Sequence, residues 1–529
     1  MSRPADRAER FVLAVDLGTG GPKVGFVSLD AQLVWSDHVA VVTSYQDSGS
    51  GIAATQDAGL WWAIIRDATR RGLAASGVAG QQVVGVAITG QWASTVPVDA
   101  DGRPVGPCVM WMDTRGAPYS RKVFGGRLQG YRPRALATWI RRNGGVPTPN
   151  GDDPIGHMLH LQHGEPAIAA AARWFLEPVD YLSMCFTGRA AASHASMMGA
   201  WLTDNRNLAV LDYDGTLVRR AGVDRSKLPP LMPTGSIIGT VTPSVAAELG
   251  ISPDAEVVTG TPDLHSAAVG AGAVGPGELH MPISTTSWIS CPVATKKTDP
   301  IRLLATVPGI DPSSYLLVNN QDTAGRSLQW LRDNIFGAVD DGPALDYDAL
   351  TALAATAPPG SNGVIFTPWL KGEHSPIDDR NARGGFHNLS LSTTRADLVR
   401  AVLEGVAYNS RWLLGCVDRF TGGRGTTRSP IRIIGGGARS DLWCQIMADV
   451  CGRTLERVAD PLNAQLRGAA LFAGLGTGEV DRAELRGLIP IDGVFHPVAE
   501  HRAGYDRLFA EFPRLYKAQK GMFARLNGG

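Results

Sequence analysis

The sequence lacks paired cysteines. Its six (Cys108, Cys185, Cys291, Cys416, Cys444, Cys451) are scattered over 529 residues and none forms a Cys-x-x-Cys pair. Structural zinc and dithiol redox chemistry are therefore not expected. So low a density fits a reduced, cytoplasmic compartment. A charge excess is also missing: Lys+Arg is 50 and Asp+Glu is 50, for a net charge of zero. That argues against a nucleic-acid binder or a membrane-surface binder driven by bulk charge. No run of ~18 apolar residues occurs, so no transmembrane helix is expected; Arg400, Glu404 and Arg411 interrupt the best late stretch. The apolar-rich residues 11–15 follow a polar start carrying Asp6 and Glu9, too short and wrongly flanked for a signal peptide. Two nucleotide motifs are missing as well. No Gly-Lys-Ser/Thr opens a helix, and the first Gly-rich turn leads into a strand rather than the helix a dinucleotide fingerprint needs.

What the sequence does have is length and glycine. At ~100–200 residues per domain, 529 residues predict two large domains or three smaller ones. Glycine is 63 of 529, well above the usual ~7%, which points to many tight turns and close backbone approaches. Residues 11–15, 24–29 and 32–35 read as an antiparallel meander. A helix over 57–75, a strand over 83–89 and a hairpin turn at Asp101-Gly102 follow. A short helix is predicted at 244–249 and a strand at 257–259. The small-residue stretch 267–273 is what a very close helix contact requires. Strands at 278–282 and 288–291 then flank a polar turn, repeating the opening in kind. Helices over 394–408, 441–451 and 502–526 and a strand over 431–434 complete the reading. The restart predicts an internal duplication of two α/β domains, divided near 255–275.

Four constellations could carry chemistry. In Asp16-Leu-Gly-Thr-Gly-Gly-Pro-Lys23, Gly18, Gly20 and Gly21 can offer backbone N–H groups to an anion. Thr19 adds a hydroxyl, Lys23 a positive charge, and Asp16 a carboxylate able to hold Mg²⁺ directly or through water. In Gly260-Thr-Pro-Asp-Leu-His265, Asp263 is placed for a general base and equally for a helix cap. His265 could reach a substrate hydroxyl or be an interior histidine. Gly435-Gly-Gly-Ala438 lets a flat ring or a phosphate approach the backbone. Gly90-Gln-Trp92 and Trp111-Met-Asp-Thr-Arg115 combine apolar platforms with hydrogen-bonding groups, as a sugar pocket needs and as a core tryptophan beside an ion pair would also look.

In order along the chain, these motifs resemble the FGGY family of carbohydrate kinases, within the actin/hexokinase/Hsp70 superfamily. Ser284-Thr-Thr-Ser-Trp-Ile289 is similar to the family's second phosphate hairpin. Pro368-Trp-Leu-x-Gly-Glu373, Asn381-Ala-Arg-Gly384 and the run Thr394 to Gly405 are similar to its best-known block. Gly435 to Gln445, with Ala448-Asp449 and Gly468-Ala-Ala470, is similar to its adenosine region. The chain departs from the pattern at Gly20-Gly21, where Ser or Thr is usual, and at Ser284, where Gly is usual. The resemblance implies two ribonuclease-H-like domains, 1–265 and 266–529, with a cleft between them. It implies ATP and Mg²⁺, with Asp263 as catalytic base and Asp16 as the metal residue. Phosphates and adenosine would be held by Gly18, Thr19, Lys23, Ser284, Thr285, Thr286, Gly436, Gly437 and Ala438. The sugar would be held by Gln91, Trp92, Trp111, Asp113 and His265. Its acceptor would be a pentulose such as D-xylulose, with ribulose, glycerol or another polyol, or a weakly catalytic sugar sensor, as alternatives. A homodimer is implied by the resemblance alone.

Overall fold

The computed structural model describes residues 7–128, 130–336, 345–422 and 429–528. Strand β1 (Phe11–Gly18) begins with five buried apolar residues. A run apolar on both faces belongs in the middle of a sheet covered on both sides. β1 accordingly lies between β2 (Gly21–Ser28), antiparallel, and β4 (Val83–Gly90), parallel. Outside β2 runs β3 (Leu33–His38), antiparallel. Beyond β4 come β6 (Glu256–Val258), parallel, and β5 (Ile237–Thr240), antiparallel to β6. A two-residue strand, β7 (Thr261–Pro262), continues along the end of β4. Helix α1 (Ala58–Ser76), capped by Asp57 and ended at Gly77, packs Trp61 and Ile65 into this domain's core.

The second half repeats the pairing. β8 (His280–Pro282) is parallel to β11 (Ile431–Ile434), which is parallel to β12 (Leu455–Val458), with β13 (Ile491–Phe495) antiparallel at the edge. On the other side, β8 folds back through the bridges His280–Ser290 and Ile283–Ser287. The chain then enters β9 (Pro292–Val293), antiparallel to β10 (Tyr315–Val318). Both halves therefore read antiparallel, antiparallel, parallel, parallel, antiparallel, and the predicted duplication is a duplication of topology. The expected strand over 288–291 is instead a pair of bridges followed by β9. The expected helix over 394–408 runs on as α3 (Arg395–Thr421), started by a Thr394/Asp397 capping box and ended at Gly422. The final helix α6 (Ala499–Asn527) carries Pro513 inside it.

Helix α2 (Asp263–Gly270) crosses α5 (Ala464–Gly476) between the halves, and residue 265 falls inside α2. A Cβ on Gly270 would strike the carbonyl of Ala464, and one on Gly468 the carbonyl of Ser266. This is the close contact that the small residues of 267–273 anticipate. α5 also packs on β1 and β4, so one hydrophobic core spans both halves. Between β4 and β5 lies an insertion with a core of its own, including Phe124, Trp139, Leu159 and Phe175. It reaches across to the C-terminal half. Lys296 Nζ donates to the Ile140 carbonyl (2.9 Å), Thr298 Oγ1 to that of Gly144 (3.2 Å) and Tyr315 OH to that of Asn205 (2.7 Å).

Candidate active site

Parallel strands end together at the bottom of the cleft, where ligands of α/β sheets sit. Asp16 of β1 is in register with Thr89 of β4, and Thr89 with Thr261 of β7. Asp263 follows two residues later as the first residue of α2. Thr89 Oγ1 lies 3.0 Å from the Thr261 carbonyl and 2.9 Å from Ser266 Oγ, and Ser266 donates to the Asp263 carbonyl. Burial pushes Asp263 up to about 7; the negative charge of Asp16 raises it further and the N–H of Leu264 opposes. Burial pushes Asp16 up to about 6, with Lys23 pulling it back. Two half-buried carboxylates, both raised by burial and one raised further by the other, are short of positive charge. Such a pair suits a hard cation, and one or two carboxylates plus water and substrate phosphate is how Mg²⁺ is ordinarily held. Among the described residues no group of three or more His, Cys, Asp or Glu could hold a metal by itself.

The first hairpin turns at Gly18–Gly21. Gly21 has φ +121°, and a Cβ there would meet the carbonyl of Val39. Any side chain at 21 would have to clear that backbone, which accounts for Gly21, whereas an added Cβ at Gly20 meets nothing within 4 Å and nothing in the structure explains glycine there. Thr19 is fixed from three sides. Its carbonyl accepts from Gln56 Nε2 (2.8 Å), its hydroxyl accepts from Trp111 Nε1 (3.1 Å), and that hydroxyl lies 3.4 Å from Gln91 Oε1. Lys23 Nζ reaches the other half, donating to the Leu462 carbonyl (3.2 Å) and Asn463 Oδ1 (3.3 Å).

The second hairpin faces a cavity of about 410 Å³ in the C-terminal half, lined by Ser284, Thr285, Gly436 and Gly437 together with Tyr347 and Trp443. The volume suits a nucleotide-sized ligand. The unusual Ser284 is accommodated by Gly435, whose φ is +90° and whose Cβ would lie 2.7 Å from the serine hydroxyl. Thr286 and Ala438 do not line the cavity. Ala438 is fully buried, and its carbonyl accepts from Cys444 Sγ. Leu328, Gln329 and Tyr347 do line it and escaped the sequence reading. They lie on helices Gly325–Asn334 and Tyr347–Ala355, whose distance in sequence from the glycine loop hid them.

On the sugar side, Gln91 is buried and its Nε2 has no partner among the described residues. Trp92 packs against a small core of Met198, Leu264, Ala268, Val307 and Leu316 drawn from both halves. Trp111 is 42% exposed, over Thr19. Two expected sugar ligands lie elsewhere. Asp113 is fully buried and saturated: Oδ2 accepts from the Ala54 N–H and from Arg115 Nη2 (2.7 Å), and Oδ1 from the Arg115 N–H. It therefore clamps Arg115 and has little capacity left for a sugar hydroxyl. His265 is fully buried, and its Nε2 donates to the Pro308 carbonyl at 2.8 Å. Burial holds it down at about 4, so it is neutral at pH 7. Its role is to tie α2 to the C-terminal half. His265→Gln, which keeps a donor near the same place, is expected to stay close to wild type in urea unfolding. His265→Ala leaves a buried carbonyl unpaired and is expected to lose about 1–3 kcal/mol.

The family model for the FGGY carbohydrate kinase N-terminal domain matches residues 11–270, and that for the C-terminal domain matches 273–477. A xylulose kinase of Staphylococcus epidermidis is 28% identical over 520 residues, covering 97% of this chain and 98% of the relative. A gluconokinase of Bacillus subtilis is 24% identical, covering 89% of this chain and 88% of the relative. Among solved structures, a xylulose kinase from Rhodospirillum rubrum is 26% identical with a TM-score of 0.82, covering 97% of this chain and all of that one. Both halves of the match, the duplicated sheets and the cleft between them give one conclusion: the chain belongs to the FGGY family of carbohydrate kinases.

Proposed function

We propose that this sugar kinase transfers the γ-phosphoryl group of ATP to a primary hydroxyl of a pentulose such as D-xylulose. One observation carries the reading. Asp16 and Asp263 meet at the strand ends beside the first hairpin, whose Lys23 crosses to Leu462 and Asn463 of the other half. In this reading Asp263 accepts the proton of the attacking hydroxyl. Asp16 holds Mg²⁺, which when bound neutralises phosphate charge. Gly18, Thr19 and Lys23 face the phosphates from domain 1–265. Ser284 and Thr285 face them from domain 266–529, and Gly436 and Gly437 bring backbone against the adenosine. Gln91, Trp92 and Trp111 hold the sugar. Phosphoryl transfer depends mainly on positioning and charge neutralisation, and closure of the two halves supplies both while excluding water.

The relatives named xylulose kinase, one of them aligned over nearly the whole chain, favour D-xylulose. The relative named gluconokinase makes gluconate the competing acceptor. A coupled ADP-release assay with MgATP against D-xylulose, D-ribulose, L-ribulose, gluconate and glycerol decides between them. D-xylulose is expected to give the highest kcat/KM. A preference for gluconate or glycerol overturns the pentulose assignment and leaves the kinase standing.

A further inference from the structure

The block Pro368–Glu373 and the middle of α3 are outside the site described above, yet they meet behind the second hairpin. Glu373, Asn409, Ser410 and Gln321 are all fully buried. Glu373 Oε1 accepts the N–H of Asp322 (3.1 Å) and that of His374 (2.9 Å), and Oε2 accepts from Asn409 Nδ2. Ser410 Oγ donates to Gln321 Oε1 at 3.1 Å. Loop 319–325, held in this way, grips the hairpin along its whole length. Gln321 and Ser287 exchange backbone hydrogen bonds (2.8 and 3.2 Å), the N–H of Ala324 reaches the Thr285 carbonyl (2.9 Å) and that of Gly325 the Ser284 carbonyl (2.7 Å). Asn319 does the same at the far end, accepting from the Ile289 N–H and donating to the Ile289 carbonyl.

Ser284 and Thr285 thus have the placement of their backbone set from behind by a loop supported by the buried Glu373 carboxyl, which burial pushes up to about 8 against the pull of Asn409 and the N–H groups of Asp322 and His374. The three hydrogen bonds to the Glu373 carboxyl all come from donors, with the negative charge of Asp322 near enough to act against them. A buried carboxylate accepting several N–H bonds fixes geometry strongly, because each donor left unpaired there costs free energy. We propose that Glu373 is a positioning residue for the nucleotide half of the reaction: through Asp322 and Gln321 it holds the second hairpin where the phosphates of ATP must lie. This rests on the kinase reading. It assigns a task to the Pro368–Glu373 block and to Asn409 and Ser410 of α3, and it predicts a defect confined to nucleotide.

Glu373→Gln tests it. The amide keeps one acceptor for the two backbone N–H groups and sets its NH₂ against Asn409 Nδ2. Asn409 can turn its oxygen inward only by withdrawing it from Trp369 Nε1, which lies 3.4 Å away. Either way a buried donor loses its partner. A misplaced phosphate site is expected to lower kcat/KM for MgATP about 10–100-fold, with D-xylulose affinity, read by tryptophan fluorescence, unchanged. Titration of a non-hydrolysable ATP analogue without sugar is expected to show the same weakening. Because that readout needs no turnover, it stands even if no sugar in the panel is phosphorylated. Wild-type analogue affinity in folded Glu373→Gln, or equal losses for sugar and nucleotide, would overturn the proposal. Should that variant fail to fold, Ser410→Ala decides. A raised KM for MgATP at constant sugar affinity supports the relay, and unchanged nucleotide parameters refute it.

Discussion

Asp263→Asn is expected to lose activity and gain stability. Removing a general base costs about 10²–10⁴-fold in kcat. The gain in stability follows from the raised carboxyl. Burial and the neighbouring Asp16 hold Asp263 at about 7, against a usual value of 3.8. Between those two values the folded protein keeps a proton that the unfolded chain has released. Stability at this group therefore falls as pH rises from about 4 to about 7 and then levels off. The amide removes that penalty. In metal-free buffer the variant should melt above the wild type at pH 7.5, and the gap should close toward pH 4. The wild-type kcat/KM should rise with pH through the acid limb, because the base works only when ionised. With Mg²⁺ held beside Asp16, that limb should move below pH 7. A variant that keeps its activity, or melts lower than the wild type at pH 7.5, would remove Asp263 from the role given to it.

Gly468→Ala should be among the most damaging small substitutions in the molecule. Alanine inside a helix normally stabilises by about 1 kcal/mol over glycine. Here the added methyl would meet the carbonyl oxygen of Ser266 and the amide nitrogen of Gly270 on the crossing helix α2. Both obstacles are backbone, so no rotamer change relieves them, and the helices must separate. Overpacking costs about 1–3 kcal/mol and occasionally more. Because α2 also carries Asp263, the displacement is expected to lower activity as well as the urea midpoint. Chemical denaturation of Gly468→Ala beside the same change at a helical glycine such as Gly504, which has nothing within 4 Å of an added Cβ, separates the two effects. A stabilised Gly468→Ala would show that propensity outweighs the crossing and that the halves are not locked there.

How much of this could be read from sequence depended on how local the signal was. The β1 run Phe11–Val15 and the Thr394/Asp397 cap are contiguous and appear in the structure where their patterns predict, while the turn expected over Asp16–Lys23 narrows to Gly18–Gly21 because Asp16 and Lys23 pair across the two strands. The crossing of α2 and α5 was half legible. The small residues of 267–273 announced a close partner, but its identity needed Gly468, some two hundred residues away. Asp113 and His265 show the converse. Their neighbours in sequence look like a sugar pocket, whereas their hydrogen bonds go to Arg115 and to Pro308 in the other half. A side chain's direction is set by tertiary packing, which spacing does not encode. The insertion stayed opaque because its contacts with Lys296, Thr298 and Tyr315 are made through backbone carbonyls, which leave no mark in residue identity.

The central claim is that sugar and ATP react in the cleft where Asp16 and Asp263 meet. ³¹P NMR of the wild type and of Asp263→Asn with MgATP and D-xylulose tests it most directly. The account predicts one new phosphomonoester resonance growing in step with ADP for the wild type, and neither at a comparable rate for the variant. Inorganic phosphate in place of a sugar phosphate, or the same sugar phosphate formed equally fast by Asp263→Asn, would contradict it.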